Sequence, residues 1–206
     1  MTREKQIIIA ARVVSMVFTP FYLPILGLAA LFFLSYLNQY LLGYKFLVLT
    51  VVYFFTILLP TFLIHLYRRY QGWSLIELGI KERRVVPYVI SILCYFACLY
   101  VMEQMHIPYF IRSIVVCALM IQVICALVNV WWKISTHMAG IGGVAGALFV
   151  FSEVFRFNPL WWMCLVFIIA GFLGTSRMIL RQHTLSQVVG GFLVGVICAI
   201  VSIIYL

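Results

Sequence analysis

Apolar runs of span length, separated by short polar breaks, make up nearly the whole chain. Crossing hydrocarbon as a helix takes about 20 consecutive apolar residues, so each run reads as a candidate span. The first, residues 7–38, is longer than one crossing and is broken by Pro20 and Pro24. It fits either one kinked, tilted helix or an interfacial helix followed by a span. Residues 45–67 form the next, with Pro60 inside it, and residues 68–84 read as an amphipathic interfacial segment. Pro87 suits the first turn of a helix running to about Met102, and further spans fall at about 108–131, 138–153, 159–175 and 185–205. The expected fold is all-α: a polytopic transmembrane helical bundle of about six to seven spans, one integral membrane domain over residues 1–206.

Two small-residue pairs refine this picture. Gly142-x-x-x-Gly146 and Gly191-x-x-x-Gly195 would let the helices at 138–153 and 185–205 approach closely. The tandem tryptophans Trp131–Trp132 and Trp161–Trp162 sit near span ends, where amphipathic rings anchor at the interface. The basic N-terminus resembles a signal peptide but lacks a small-x-small cleavage site and runs on into apolar sequence, so it is expected in the mature protein.

Composition agrees: 66% of residues are hydrophobic and 9% charged, where a soluble domain carries about a quarter charged residues. The six cysteines all lie inside apolar segments and read as reduced packing residues. The net charge is +9, and the five acids are all glutamates. Such a basic excess fits anionic headgroups or the positive-inside bias. It does not fit nucleic acid, because no basic helix or aromatic-basic RNA motif occurs.

Counting spans places the polar clusters. Two crossings separate the Lys81–Arg84 cluster from Ser135–His137, and two more separate that from Arg177–His183. All three therefore emerge on one face, opposite the plainer loops around 39–44, 103–107 and 154–158. Lys81, Arg83, Arg84, Lys133, Ser135, Thr136, His137, Arg177, Arg181 and His183 converge there. Arginine forks match phosphate oxygens. Ser135-Thr136 precedes a helix whose free N–H groups would face an anion. One histidine can attack phosphorus while the other protonates the leaving oxygen.

These residues resemble the type 2 phosphatidic acid phosphatase (lipid phosphate phosphatase) superfamily, whose motifs are K-x6-R-P, P-S-G-H and S-R-x5-H-x3-D. Ser176-Arg177, five residues, then His183 matches the start of the third motif. Ser135-Thr136-His137 resembles the second, with Ile134 for its proline and Thr136 for its glycine. Lys81-Glu82-Arg83-Arg84-Val85-Val86-Pro87 echoes the first in residue type but not in spacing. The resemblance covers residues 81–205 and leaves residues 1–67 as N-terminal spans. It implies a phosphatidic acid phosphatase/haloperoxidase-like core and a phosphohistidine mechanism. His183 would be the nucleophile and His137 the acid and then base. Arg177, Ser135, Thr136, Arg84 and Lys81 would hold the phosphoryl oxygens. No metal or other cofactor is implied, and no histidine spacing looks like a zinc site.

The sequence departs from the family at the last position, where Gln187 replaces the aspartate that orients the nucleophile. Four residues along a helix, Gln187 can reach His183 and fix its tautomer, but it cannot stabilise an imidazolium by charge. Glu153 falls on the wrong face, leaving Glu77 or Glu82 as possible carboxylate replacements. Gln187 with Thr184 also fits the T-x-x-Q spacing of a helix cap, a role that can coexist with the first. Arg68, Arg69, Lys133 and Arg181 have a plainer reading as snorkelling interface residues. His65 and His106, without basic company, read as interface or packing histidines.

The expected activity is hydrolysis of a lipid phosphate or diphosphate such as phosphatidic acid, phosphatidylglycerophosphate, undecaprenyl diphosphate or a lipid A phosphate. The absence of a long soluble loop points to a small headgroup or a prenyl diphosphate. The alternative is a lipid-phosphate-binding protein without turnover. A transporter is disfavoured by the lack of an internal repeat or intramembrane acid pair. If residues 7–38 cross once, the site shares its face with every basic residue except Lys45, Arg112 and Arg156, which argues for the cytoplasm. If they cross twice, or only their second half crosses, the bias reverses. The family resemblance implies the extracytoplasmic face of the cytoplasmic (inner) membrane.

Overall fold

The computed structural model describes residues 3–34, 36–72 and 85–205. Among them every regular element is helical. In chain order these are α1 (Arg3–Val17), α2 (Leu23–Leu34), a 3-10 turn (Tyr36–Gln39), α3 (Leu42–Tyr53), a π-turn (Phe54–Leu58), α4 (Leu59–Tyr70), α5 (Val85–Gln104), α6 (Tyr109–Trp131), α7 (Thr136–Phe155), α8 (Leu160–Ile179) and α9 (Leu185–Ile204). Six helical runs are long and apolar enough to cross a membrane: Leu42–Tyr70 and the five helices from α5 to α9. The protein is a multi-pass helical bundle.

The expected spans at 108–131 and 185–205 agree with α6 and α9 to within a residue. Residues 7–38 do not form one kinked helix. They separate into α1 and α2 around Pro20, and neither reaches span length. The third helical run extends to Tyr70, so Arg68 to Tyr70 continue it and do not begin an interfacial segment. Pro60 lacks the N–H that an unbroken ladder needs. The π-turn immediately before it absorbs the lost register, with Thr56 Oγ donating to the Val52 carbonyl at 2.7 Å.

α7 is the centre of the bundle and is packed by α6, α8, α9 and α2. Its closest partner is α9, along the two glycine pairs. A Cβ at Gly142 would run into the Phe192 carbonyl, and one at Gly195 into the Ala139 carbonyl. Without those side chains the two backbones meet in contact that larger residues forbid. Around this seam Met138, Ile141, Ala145, Val166, Ala170, Leu173 and Val188 join α7 to α8 and α9. A second core ties α2 and α3 to α5 and α6 through Leu28, Phe32, Val52, Tyr95 and Val115. Leu93, Phe172 and Ile197 stay exposed on the outside, as a hydrocarbon-facing surface requires.

Three helices end without glycine in the left-handed conformation that normally uses it. His106, Arg156 and Arg181 all have φ near 51°. After α8, Arg181 N–H donates to the Met178 carbonyl at 2.9 Å and Gln182 N–H to the Arg177 carbonyl at 3.1 Å. That pair of bonds is a Schellman ending, and it turns the chain sharply from Arg177 towards His183. The opposite face is closed by local pairing. Arg112 lies 3.5 Å from Glu103, Arg156 lies 4.0 Å from Glu153, and the buried Lys45 donates to the Asn38 carbonyl at 2.7 Å and to its side chain at 2.6 Å.

Candidate functional site

The α7–α9 seam carries the site with it. His137 lies in the first turn of α7, and His183 immediately precedes Thr184, the N-cap of α9. Docking the two helix starts, with Ser135 N–H donating to the Gln187 carbonyl at 3.3 Å, brings both histidines to one end of the bundle. Gly191 lies against the Ser135 carbonyl, which leaves no room for a side chain, and Gly190 lies beneath the Trp132 ring, which a side chain there would push aside. The end of α8 supplies Arg177, whose charge acts on both imidazoles.

His183 is 9% exposed, and its Nδ1 lies 3.3 Å from Gln187 Oε1. The same oxygen accepts the Thr184 N–H at 3.2 Å. Gln187 therefore caps α9 and orients His183 at once, through a box in which it is the third helical residue. The contact is not the helix-face pairing that the four-residue spacing suggests: His183 is outside the helix, and the side chain folds back to it. A carbonyl can only accept, so this contact favours a proton on Nδ1, while the ring also hydrogen-bonds to the Lys133 main chain. Burial, then the Arg177 guanidinium, hold the His183 pKa down at about 4, while the Gln187 contact opposes them. The ring is neutral at physiological pH.

Ser135 is the N-cap of α7 but makes no capping hydrogen bond. The residue is fully buried, and its Oγ has no hydrogen-bond partner within the protein; nor does His137 Nδ1. The first-turn amides of α7, beginning at Thr136, thus keep donors and a positive dipole end directed at the same region. The His137 ring also meets the Ser15 main chain near the end of α1. Ser15 itself is buried, with its Oγ unpartnered. Nothing in the sequence marked this contact, because a lone serine in an apolar stretch has no spacing to a motif.

The structure thus joins His137, His183, Gln187, Arg177, Ser135 and Thr136. Lys81 and Arg84, together with Glu77 and Glu82, lie outside the described residues. Ser176, next to Arg177, turns inward and donates to the Phe172 carbonyl at 2.7 Å. His65 does have basic company, with Arg68 Nη2 3.3 Å from its Nδ1. No protein-family model, no curated protein and no solved structure matches the chain. The motif residues and their geometry therefore carry the functional argument alone. Among the described residues no His, Cys, Asp or Glu group could hold a metal ion. The arrangement offers a neutral imidazole held between Gln187 and the Lys133 main chain, a second imidazole, a guanidinium and hydroxyl and amide donors. That combination suits a tetrahedral anion.

Proposed function

We propose that this protein is an integral membrane lipid phosphatase that hydrolyses a lipid phosphate or diphosphate through a phosphohistidine. The observation that carries the reading is the meeting of His137 and His183 around Arg177 at the joined starts of α7 and α9. His183 Nε2 attacks phosphorus, the bond to the lipid oxygen breaks, and His137, entering the step as the imidazolium, gives that oxygen its proton. His137 then takes a proton from water, which attacks the phosphohistidine, releases phosphate and restores His183. Arg177, Ser135 Oγ and the Thr136 amide hold the phosphoryl oxygens as charge moves onto them, joined by Lys81 and Arg84 in the family-like arrangement. The resemblance supports placing this face on the extracytoplasmic side of the inner membrane.

A second reading, a lipid-phosphate binder without turnover, is favoured by one specific feature: the partner of His183 Nδ1 is the neutral Gln187. Phosphate release by the detergent-purified protein tests both. The panel comprises phosphatidic acid, phosphatidylglycerophosphate and undecaprenyl diphosphate. Hydrolysis that drops at least about 10³-fold in His183→Ala is expected of a nucleophile. Full release by that variant would sink the mechanism, and binding without release would favour the second reading.

A further inference from the structure

A half-enclosed cavity of about 260 Å³ lies between α2, α5, α6, α7 and α8. It occurs where α2 and α8, on opposite sides of the lining, share no substantial interface of their own. Its upper wall is Pro20, Leu23 and Gly140, and its lower end is Phe151, Phe157 and Trp162. Gly140 is three residues beyond His137 along α7, about 4.5 Å of rise. From Gly140 to Phe151 the axis of α7 rises about 16 Å, at 1.5 Å per residue, or roughly half the hydrocarbon thickness. No site residue lines the cavity; along α7 it starts three residues past His137 and runs towards the opposite face.

Resting on the phosphate reading of that site, we propose that this cavity is a subsite for one hydrocarbon chain of the lipid whose phosphate sits at His183. The charge pattern fits one amphiphile: cation and polar donors at the face, then apolar walls below, with Gly27, Ala30, Ala118 and Ala147 leaving the space open. An apolar cavity of about 150 Å³ takes one benzene ring. A volume less than twice that admits a single chain, leaving any second chain in the bilayer. Gly27 controls the space, since a Cβ there would meet only Ile114 Cγ2, at 3.8 Å.

Photolabelling the full-length protein in phosphatidylcholine nanodiscs tests this without relying on turnover. The probe is phosphatidic acid carrying a diazirine at the end of one acyl chain. Adducts are expected on Phe151, Phe157 or Trp162. Gly27→Leu and, as a second filling variant, Ala118→Leu should each cut them about tenfold, the scale on which a few methylenes decide occupancy of an apolar pocket. Adducts confined to outward residues such as Phe172 and Ile197 would overturn the subsite. Equal cavity labelling by the same probe built on phosphatidylcholine would also overturn it, because an ordinary bilayer chain would then be the occupant. Labelling by the phosphatidic acid probe alone, in a protein that releases no phosphate, would support the subsite while failing the hydrolase reading. Phosphate release with no cavity adducts would fail the subsite alone.

Discussion

His183 and Gln187 decide the chemistry between them. Gln187→Glu preserves both the chain length and the capping box while placing a carboxylate against Nδ1. It should raise the His183 pKa and stabilise the imidazolium formed on phosphoryl transfer. Turnover is expected to rise about tenfold or more, since exchanging a triad carboxylate for an amide costs about 10⁴ in the opposite direction. A protein that only binds phosphate would gain no turnover and would bind inorganic phosphate more weakly. Acid pH tests the same ring. Its pKa is lowered from 6.5 to about 4 by burial and Arg177, so folding favours the neutral form. That contribution to stability is complete above pH 6.5 and is lost as pH falls through this range towards 4. With p-nitrophenyl phosphate, whose leaving group needs no proton, the acid limb of kcat/KM should have its midpoint near 4. A midpoint at 6.5 would mean that neither burial nor Arg177 acts on His183 in the working enzyme.

At the level of the elements, the α7–α9 seam is a structural support and a positioning device together. Gly195→Ala presses a methyl into the Ala139 carbonyl, and overpacking of this kind costs about 1–3 kcal/mol. A lower melting temperature in detergent should therefore accompany loss of phosphate release, as the starts of the two helices part. Gly171 on α8 is the control, because a Cβ there meets nothing within 4 Å. Gly171→Ala should stabilise by about 0.5–1 kcal/mol through helix propensity and leave activity unchanged. Equal destabilisation by both variants would remove the seam's special role. The glycine pairing was legible from spacing, because small residues four apart share a helix face. The left-handed endings at His106, Arg156 and Arg181 were not, because residues without a glycine signature occupy them.

For the whole molecule, alternate crossings put Arg181 and Arg156 on opposite faces. Arg181→Cys and Arg156→Cys should react with a membrane-impermeant maleimide from opposite sides of sealed vesicles. Labelling of both from one side would refute the topology. The six native cysteines lie inside spanning helices, five of them buried, and should remain silent. The N-terminal segment was least legible. Its hydropathy fits a crossing, but the break around Pro20 divides it, and α1 and α2 instead complete the wall beside His137 and the cavity. Contacts from α1 to α8 and from α2 to α3, α6 and α7 hold this arrangement.

Sequence alone determined the membrane bundle, the boundaries of the spans at 108–131 and 185–205, the glycine seam and the convergence of the two histidine segments. Each follows from local rules, namely span length, residue spacing and the alternation of sides with every crossing. Tertiary structure decided which atoms meet: Gln187 folding back from a helix cap, Ser135 and His137 left with unpartnered atoms, Ser15 arriving from α1, and the cavity beside α2. These depend on how helices distant in sequence pack sideways, and an apolar run carries little record of that, since lipid and protein surfaces favour the same residues.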